Sequence, residues 1–178
     1  IIAKRMNVEK HYIIKVDVQQ FIKSSLVSNT SDVTQSEKSI ENTYVPARNI
    51  IFLSFGASLA ESLGVDRIYL GVSGEDYQGQ RPDTRKVFID KYQELINVGL
   101  NCTVNEAKTL QLIAPFTNTS RRERIRKGLE LGVDFSLTRS CYQVDNNGVS
   151  CGVCDACRAR LEAFKEIGIE DPIPYIKR

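Results

Sequence analysis

The sequence has no apolar run long enough to cross a bilayer, no marked excess of either charge, no internal repeat, no low-complexity tract and a single histidine, His11. Each absence removes a class of protein. A spanning helix needs about 20 consecutive apolar residues, so no membrane association is expected. The 24 basic and 22 acidic residues leave a net charge of +2, whereas a dedicated nucleic-acid binder carries a strong basic excess. Direct nucleic-acid binding is therefore not expected, although Arg121, Arg122, Arg124, Arg126 and Lys127 form a local basic cluster. That cluster reads equally as a solvated helix face or as an anion-binding surface. His11 lies on an alternating stretch and reads as a surface residue rather than a catalyst. The first residues, Ile1 to Arg5, run into a charged, helix-like stretch with no signal-peptide pattern, so a cytoplasmic location is expected.

What is present is ordinary in bulk and unusual in one place. With 178 residues, 42% hydrophobic and 26% charged, the chain is long enough to bury a real core. Of its five cysteines, four crowd into the short stretch from Cys141 to Cys157. A secreted disulfide scaffold spreads an even number of cysteines along the chain. Clustering in a chain without secretory features points to metal.

The pattern predicts an α/β protein, a Rossmann-like parallel sheet flanked by helices, with a C-terminal four-cysteine segment. The chain opens as if in mid-helix, without a capping signal, and something upstream of Ile1 is expected. Tyr12, Ile14, Val16 and Val18 alternate with polar neighbours and predict a strand over 11–18. Residues 24–42 are rich in Ser, Thr, Asn and Asp and predict a loop, a candidate lid. Pro46 opens a helix that is apolar nearly all round, from Ile50 to Leu63, and is therefore expected to be buried. Gly64 ends it. Further expectations are a strand over 67–72, a polar loop over 73–85, a helix over 86–98 and a strand over 111–114. Ser120 and Glu123 predict a capping box on a helix closed by Gly132, and a last helix is expected over 155–167. In a parallel sheet, functional loops lie at the carboxyl ends of strands, here after Val72 and after Ala114. Two domains are expected: 1–138, an incomplete nucleotide-binding α/β unit lacking its N-terminal phosphate loop, and 139–178, the zinc-binding segment with the last helix.

Cys141, Cys151, Cys154 and Cys157 are spaced C-x9-C-x2-C-x2-C. Two-residue gaps turn successive thiolates inward on a tight loop, and a remote fourth thiolate completes a tetrahedron at about 2.3 Å from zinc. Gly148 and Gly152 supply backbone freedom for such a knuckle. An iron–sulfur cluster also uses C-x2-C-x2-C, but the ferredoxin run has a fourth Cys after three further residues, where this chain has Leu161 after Arg158, Ala159 and Arg160. Disulfides or free thiols complete the alternatives. Four thiolates close the zinc shell, so the site is expected to be structural. Cys102 stands apart and reads as an ordinary semi-buried thiol.

Four motifs in order carry a resemblance. Ser140-Cys141-Tyr142 followed by Cys151-Gly152-Val153-Cys154-Asp155-Ala156-Cys157-Arg158, then Arg160-Leu161 and Phe164 ahead of Gly168, resembles the C-terminal part of 7-cyano-7-deazaguanine synthases. Tyr44-Val45-Pro46-Ala47-Arg48-Asn49 is similar to a second hallmark of that family. Gly71-Val72 with Glu75-Asp76-Tyr77, Gly79, Pro82-Asp83 and Arg85 is similar to a third, and Asp171-Pro172-Ile173-Pro174-Tyr175 to its C-terminal strip. The resemblance runs from Ile1 to the C-terminus. Two features differ. The segment 79–88 is one residue longer than the family's loop, with Thr84, Lys86 and Val87 in place of Cys, Pro and Glu. The family's Ser-Gly-Gly-x-Asp-Ser pyrophosphate loop is absent, and Ser73-Gly74-Glu75 does not replace it, because a glutamate repels phosphate.

The resemblance implies an enzyme of the PP-loop ATP pyrophosphatase superfamily. It implies conversion of 7-carboxy-7-deazaguanine and ammonia to the nitrile, with ATP and Mg2+ consumed through adenylated acid and amide, a structural Zn2+, and a homodimer. By the same resemblance Arg48, Asn49, Ser120 and Arg121 are candidates for nucleotide or phosphate contact, and Asp76, Tyr77, Asp83, Arg85 and Phe88 for substrate contact. The competing reading of each is local: Arg48 a helix-start charge, Asp83 a turn former, Ser120 a simple N-cap. No general base is identified. Two other functions compete: a zinc-stabilised RNA-binding or assembly module, and a related PP-loop enzyme that modifies tRNA. A thiolation enzyme needs a reactive thiol outside the zinc shell, where only Cys102 remains.

Overall fold

The computed structural model describes residues 1–17, 44–75, 81–145 and 147–176. Two compact units emerge, one built from Pro46–Arg124 and the other from Ile1–Val45 together with Ile125–Arg178.

In the unit 46–124, helix α2 (Arg48–Leu63) precedes strand β1 (Arg67–Tyr69), and α3 (Lys86–Gly99) and the single turn α4 (Asn101–Val104) precede strand β2 (Gln111–Ile113). The strands pair in parallel, Ile68 opposite Leu112, as a strand–helix–strand crossover requires. Leu53, Ala57 and Ala60 recur at helical spacing on α2 and pack with Val72, Ile89, Tyr92, Ile96, Leu110 and Leu112 into one core. The Gln93 side chain completes the far edge of β2: its Oε1 accepts from the Leu112 N–H at 2.7 Å and its Nε2 donates to the Leu110 carbonyl at 2.8 Å. An amide thus does the work of a neighbouring strand on two backbone groups. Gly64 ends α2 at φ 66°, in the left-handed region glycine favours.

The other unit holds α1 (Ile2–Arg5), a single turn with no buried residue, and α6 (Asp155–Glu166). Helix α5 (Arg121–Glu130) begins at the end of the first unit and continues into the second. Ile125, Ala163 and Phe164 form a small core with Phe135 and Ile167. The Phe135 ring meets Phe164 edge-on at 5.5 Å, a favoured aromatic geometry.

Several sequence expectations are met: α/β with parallel strands, the helix over 86–99, the strand at 111–113, and the last helix at 155–166. Strand β1 is shorter than expected and ends at Tyr69. Two expectations are corrected. The segment 11–17 forms no strand and is exposed throughout; alternation supplies a face, but a strand also needs a hydrogen-bonded neighbour, and among the described residues β1 pairs with β2. Helix α2 is not buried all round: Ile50, Phe52 and Phe55 are 45%, 56% and 39% exposed, because only the face carrying Leu53, Ala57 and Ala60 meets the core. Val18 and the loop over 24–42 lie outside the described residues. Among the described residues no helix is long and apolar enough to cross a membrane.

Candidate functional site

The four-cysteine centre is built on a tight loop and the start of α6. Gly148 at φ 80° and Gly152 at φ 76° take left-handed turns that let the chain reverse between Cys141 and Cys157. The sulfurs of Cys141, Cys151, Cys154 and Cys157 all lie within 4.8 Å of one another, and those of Cys151 and Cys157 are 3.9 Å apart. Zinc–sulfur bonds of about 2.3 Å in a tetrahedron set sulfur–sulfur spacings of about 3.8 Å, so the donor set fits one zinc ion. No disulfide competes, since all five cysteines are free thiols.

The surroundings suit thiolates. Backbone N–H groups of Gln143 and Cys151 point at the Cys141 sulfur at 3.2 and 3.3 Å, and the Cys154 N–H at that of Cys151 at 3.4 Å. Burial opposes ionisation of Cys151, but backbone hydrogen bonds from Val153 and Cys154 and the neighbouring thiols outweigh it and bring its pKa down to about 7. Burial, with the Cys154 side chain next, pushes the Cys157 thiol well above the usual thiol range.

The strip 171–176 walls in the knuckle. Ser150 and Tyr175 form a parallel bridge, with Ser150 N–H donating to the Pro174 carbonyl at 3.2 Å and Ile176 N–H to the Ser150 carbonyl at 3.0 Å. The Tyr175 ring packs on the cysteines, and its hydroxyl donates to Asp171 Oδ2 at 2.6 Å. Asp171 in turn pairs with Arg160 of α6, whose guanidinium also donates to Thr138 Oγ1 at 2.7 Å and the Phe135 carbonyl at 3.1 Å. This network ties metal loop, last helix and final strip into one body.

A second constellation lies in the unit 46–124, on the loops that follow the carboxyl ends of β1 and β2. The two loops touch closely: a Cβ on Gly74 would lie 2.2 Å from the Thr117 carbonyl oxygen. Ser73 is buried and accepts a hydrogen bond from Arg124 Nη1, which also donates to the Thr119 carbonyl at 2.8 Å. Glu75 reaches the start of α5, where its Oε2 accepts from the Arg121 N–H at 2.8 Å. Ser120 and Glu123 form the expected reciprocal cap, Ser120 N–H to Glu123 Oε2 at 2.7 Å and Glu123 N–H to Ser120 Oγ at 3.3 Å.

The remaining candidates are distributed as follows. Arg48 is exposed at the first residue of α2, and Asn49 is buried beside it. Both the backbone and the side-chain amide of Asn49 donate to Asp83. Arg85 is exposed, its Nε 3.4 Å from the Pro82 carbonyl. Phe88 packs against the core and the Tyr92 ring, centroids 6.0 Å apart. Asp76 and Tyr77 lie outside the described residues. Sequence reasoning missed Ser73 and Gly74, whose only signal was a place on a loop expected to be functional, and it read Arg124 only as one member of the basic cluster.

One unit has parallel strands with converging loops at their carboxyl ends and the other has four clustered cysteines able to hold a metal ion, which together define an α/β protein with a candidate metal site. A family model described as Queuosine biosynthesis protein QueC matches residues 1–168, and the chain belongs to that family, whose fold is of the PP-loop type. It is 41% identical over 181 residues to the 7-cyano-7-deazaguanine synthase of Rickettsia conorii, covering 98% of this chain and 78% of that protein. Against the 7-cyano-7-deazaguanine synthases of Nostoc punctiforme and Nitrosococcus oceani it is 41% and 42% identical, again over 98% of this chain, covering 79% and 77% of theirs.

Proposed function

We propose that this chain acts in queuosine precursor synthesis as a 7-cyano-7-deazaguanine synthase. The observation that carries the reading is identity of about 41% across 98% of the chain to proteins of that name. The substrates are 7-carboxy-7-deazaguanine, ammonia and Mg2+-ATP. ATP adenylates the carboxylate and releases pyrophosphate; ammonia displaces AMP to give the amide. A second ATP adenylates the amide oxygen, and loss of AMP and protons leaves the nitrile. An oxygen on carbon leaves poorly unless activated as a phosphate ester, so the protein's work is positioning and charge stabilisation.

In this reading Arg48 clamps phosphate with its planar fork, and Ser120 and Arg121 lie against the nucleotide at the start of α5. Asp76, Tyr77, Arg85 and Phe88 belong to the substrate side. Zn2+ on the four cysteines is structural. The working form is a cytoplasmic homodimer. The fit of the sulfur spacing to zinc and the convergence of the Ser73 and Thr117 loops support these roles.

The test is a mass-spectrometric assay of the zinc-loaded protein with the acid, Mg2+-ATP and an ammonium salt. Nitrile and AMP above the no-enzyme control are expected. The 178-residue chain is compared with a version extended ahead of Ile1 to the length of its relatives. Silence from both folded forms would overturn the reading.

A further inference from the structure

Asp83 and Asn49 hold each other across 34 positions of sequence. The Asn49 backbone N–H donates to Asp83 Oδ2 at 3.1 Å, and Asn49 Nδ2 donates to the Asp83 carbonyl at 3.0 Å. Both residues are buried. The setting explains why the contact is needed. Helix α2 starts after Ala47, whose carbonyl accepts the first helical bond from Ile51 N–H at 3.0 Å but whose methyl cannot cap anything. Ala47 also sits at φ 54°, a region uncommon for any residue but glycine. An N-cap side chain normally satisfies the N–H two or three residues into the helix. Here that group, Asn49 N–H, is buried and receives its acceptor from the short 3-10 turn Pro82–Thr84. A carboxylate at this end also complements the helix dipole. The turn itself is braced, with Thr84 Oγ1 donating to the Arg81 carbonyl at 3.0 Å.

We propose that Asp83 is a positioning residue that caps α2 from the loop after β1 and so fixes the direction in which Arg48, the first residue of that helix, presents its guanidinium. Asp83 thereby couples two motifs that lie far apart in the sequence: Arg48 on one and Arg85, two residues on, on the other. The role assigned to Arg48 rests on the proposed function; the capping contact does not.

The test compares Asp83→Ala and Asp83→Asn with the parent protein. Asn and Asp are nearly equal as caps, and Ala is not. Residue-resolved hydrogen exchange should show the Asn49 amide exchanging roughly fivefold faster in Asp83→Ala, the fold-change that loss of a typical cap produces, with protection largely restored in Asp83→Asn. Trypsin cleavage after Arg48 should follow the same order. In kinetics, KM for ATP should rise about tenfold in Asp83→Ala with a much smaller change for the acid, and Asp83→Asn should rescue it. Unchanged Asn49 exchange and unchanged cleavage in Asp83→Ala would overturn the proposal. So would a rise in KM for the acid shared by both variants, which marks a direct substrate contact. If neither the 178-residue chain nor its extended version turns over, the proposed function alone is refuted, because exchange and cleavage still decide the cap.

Discussion

Arg160 grips Asp171 with two nitrogens, Nε to Oδ2 at 2.6 Å and Nη2 to Oδ1 at 2.9 Å, where their side chains are only 7% and 1% exposed. The guanidinium also lies 5.3 Å from the centre of the Phe164 ring. Removing one partner of such a pair strands a buried charge, which costs about 3–5 kcal/mol. Asp171→Ala is expected to lose that much in chemical denaturation. Replacing both partners by apolar residues of similar volume should recover a large part of it. An Asp171→Ala variant as stable as the parent would show that water reaches the guanidinium.

The same pair predicts a pH dependence. Burial pushes the Asp171 carboxyl up, but hydrogen bonds from Arg160 and Tyr175 outweigh it and hold the pKa below the usual carboxylate range. A carboxylate depressed by folding contributes stability that is fully present above its unfolded value of about 3.9 and lost as pH falls through the folded value. Unfolding free energies measured between about pH 5 and pH 2.5 should therefore fall more steeply for the parent than for Asp171→Asn. The comparison cancels the thiol titrations the two proteins share. Parallel curves would assign the acid sensitivity elsewhere.

Metal loading is expected to depend on the knuckle and not on the remaining thiol. Native mass spectrometry of Cys157→Ser should show loss of stoichiometric zinc and a lowered melting temperature, because the free energy of binding a structural zinc is folding free energy. Cys102→Ala should load fully. Iron and acid-labile sulfide in place of zinc would change the identity of the metal while leaving the four ligands in place.

Gly74 has no room for a side chain against the Thr117 carbonyl. Gly74→Ala must move backbone against backbone, and overpacking of this kind costs about 1–3 kcal/mol. The expected result is a drop of that size in denaturation and, on the proposed function, a raised KM for ATP under conditions where the variant stays folded. An Ala variant with native stability would mean the two loops can part freely.

Legibility in the sequence followed distance along the chain. The Ser120–Glu123 cap, the Gly64 helix end and the cysteine knuckle are local patterns, and the structure carries them. Features that depend on a partner far away were not legible. Asp83 looks like any turn aspartate until Asn49 is seen beside it, and Ser73 is separated from Arg124 by 51 positions. The alternation over 11–17 misled because a strand is a property of two chains segments together. The apolar positions of α2 gave its helical character, but not which of Ile50, Phe52 and Leu53 would face the core.

The bridge between Ser150 and Tyr175 also bears on how the metal pocket is finished. All four ligands lie before the strip that encloses them, so gathering the sulfurs and covering them are separable events. A chain whose strip 171–176 is undocked has its four ligands, but neither the Tyr175 ring over them nor the Pro174 carbonyl that holds Ser150. In that state the thiols are open to oxidants and to any soft metal. Docking of 171–176 closes the pocket, so retention of the metal and docking of the strip are linked.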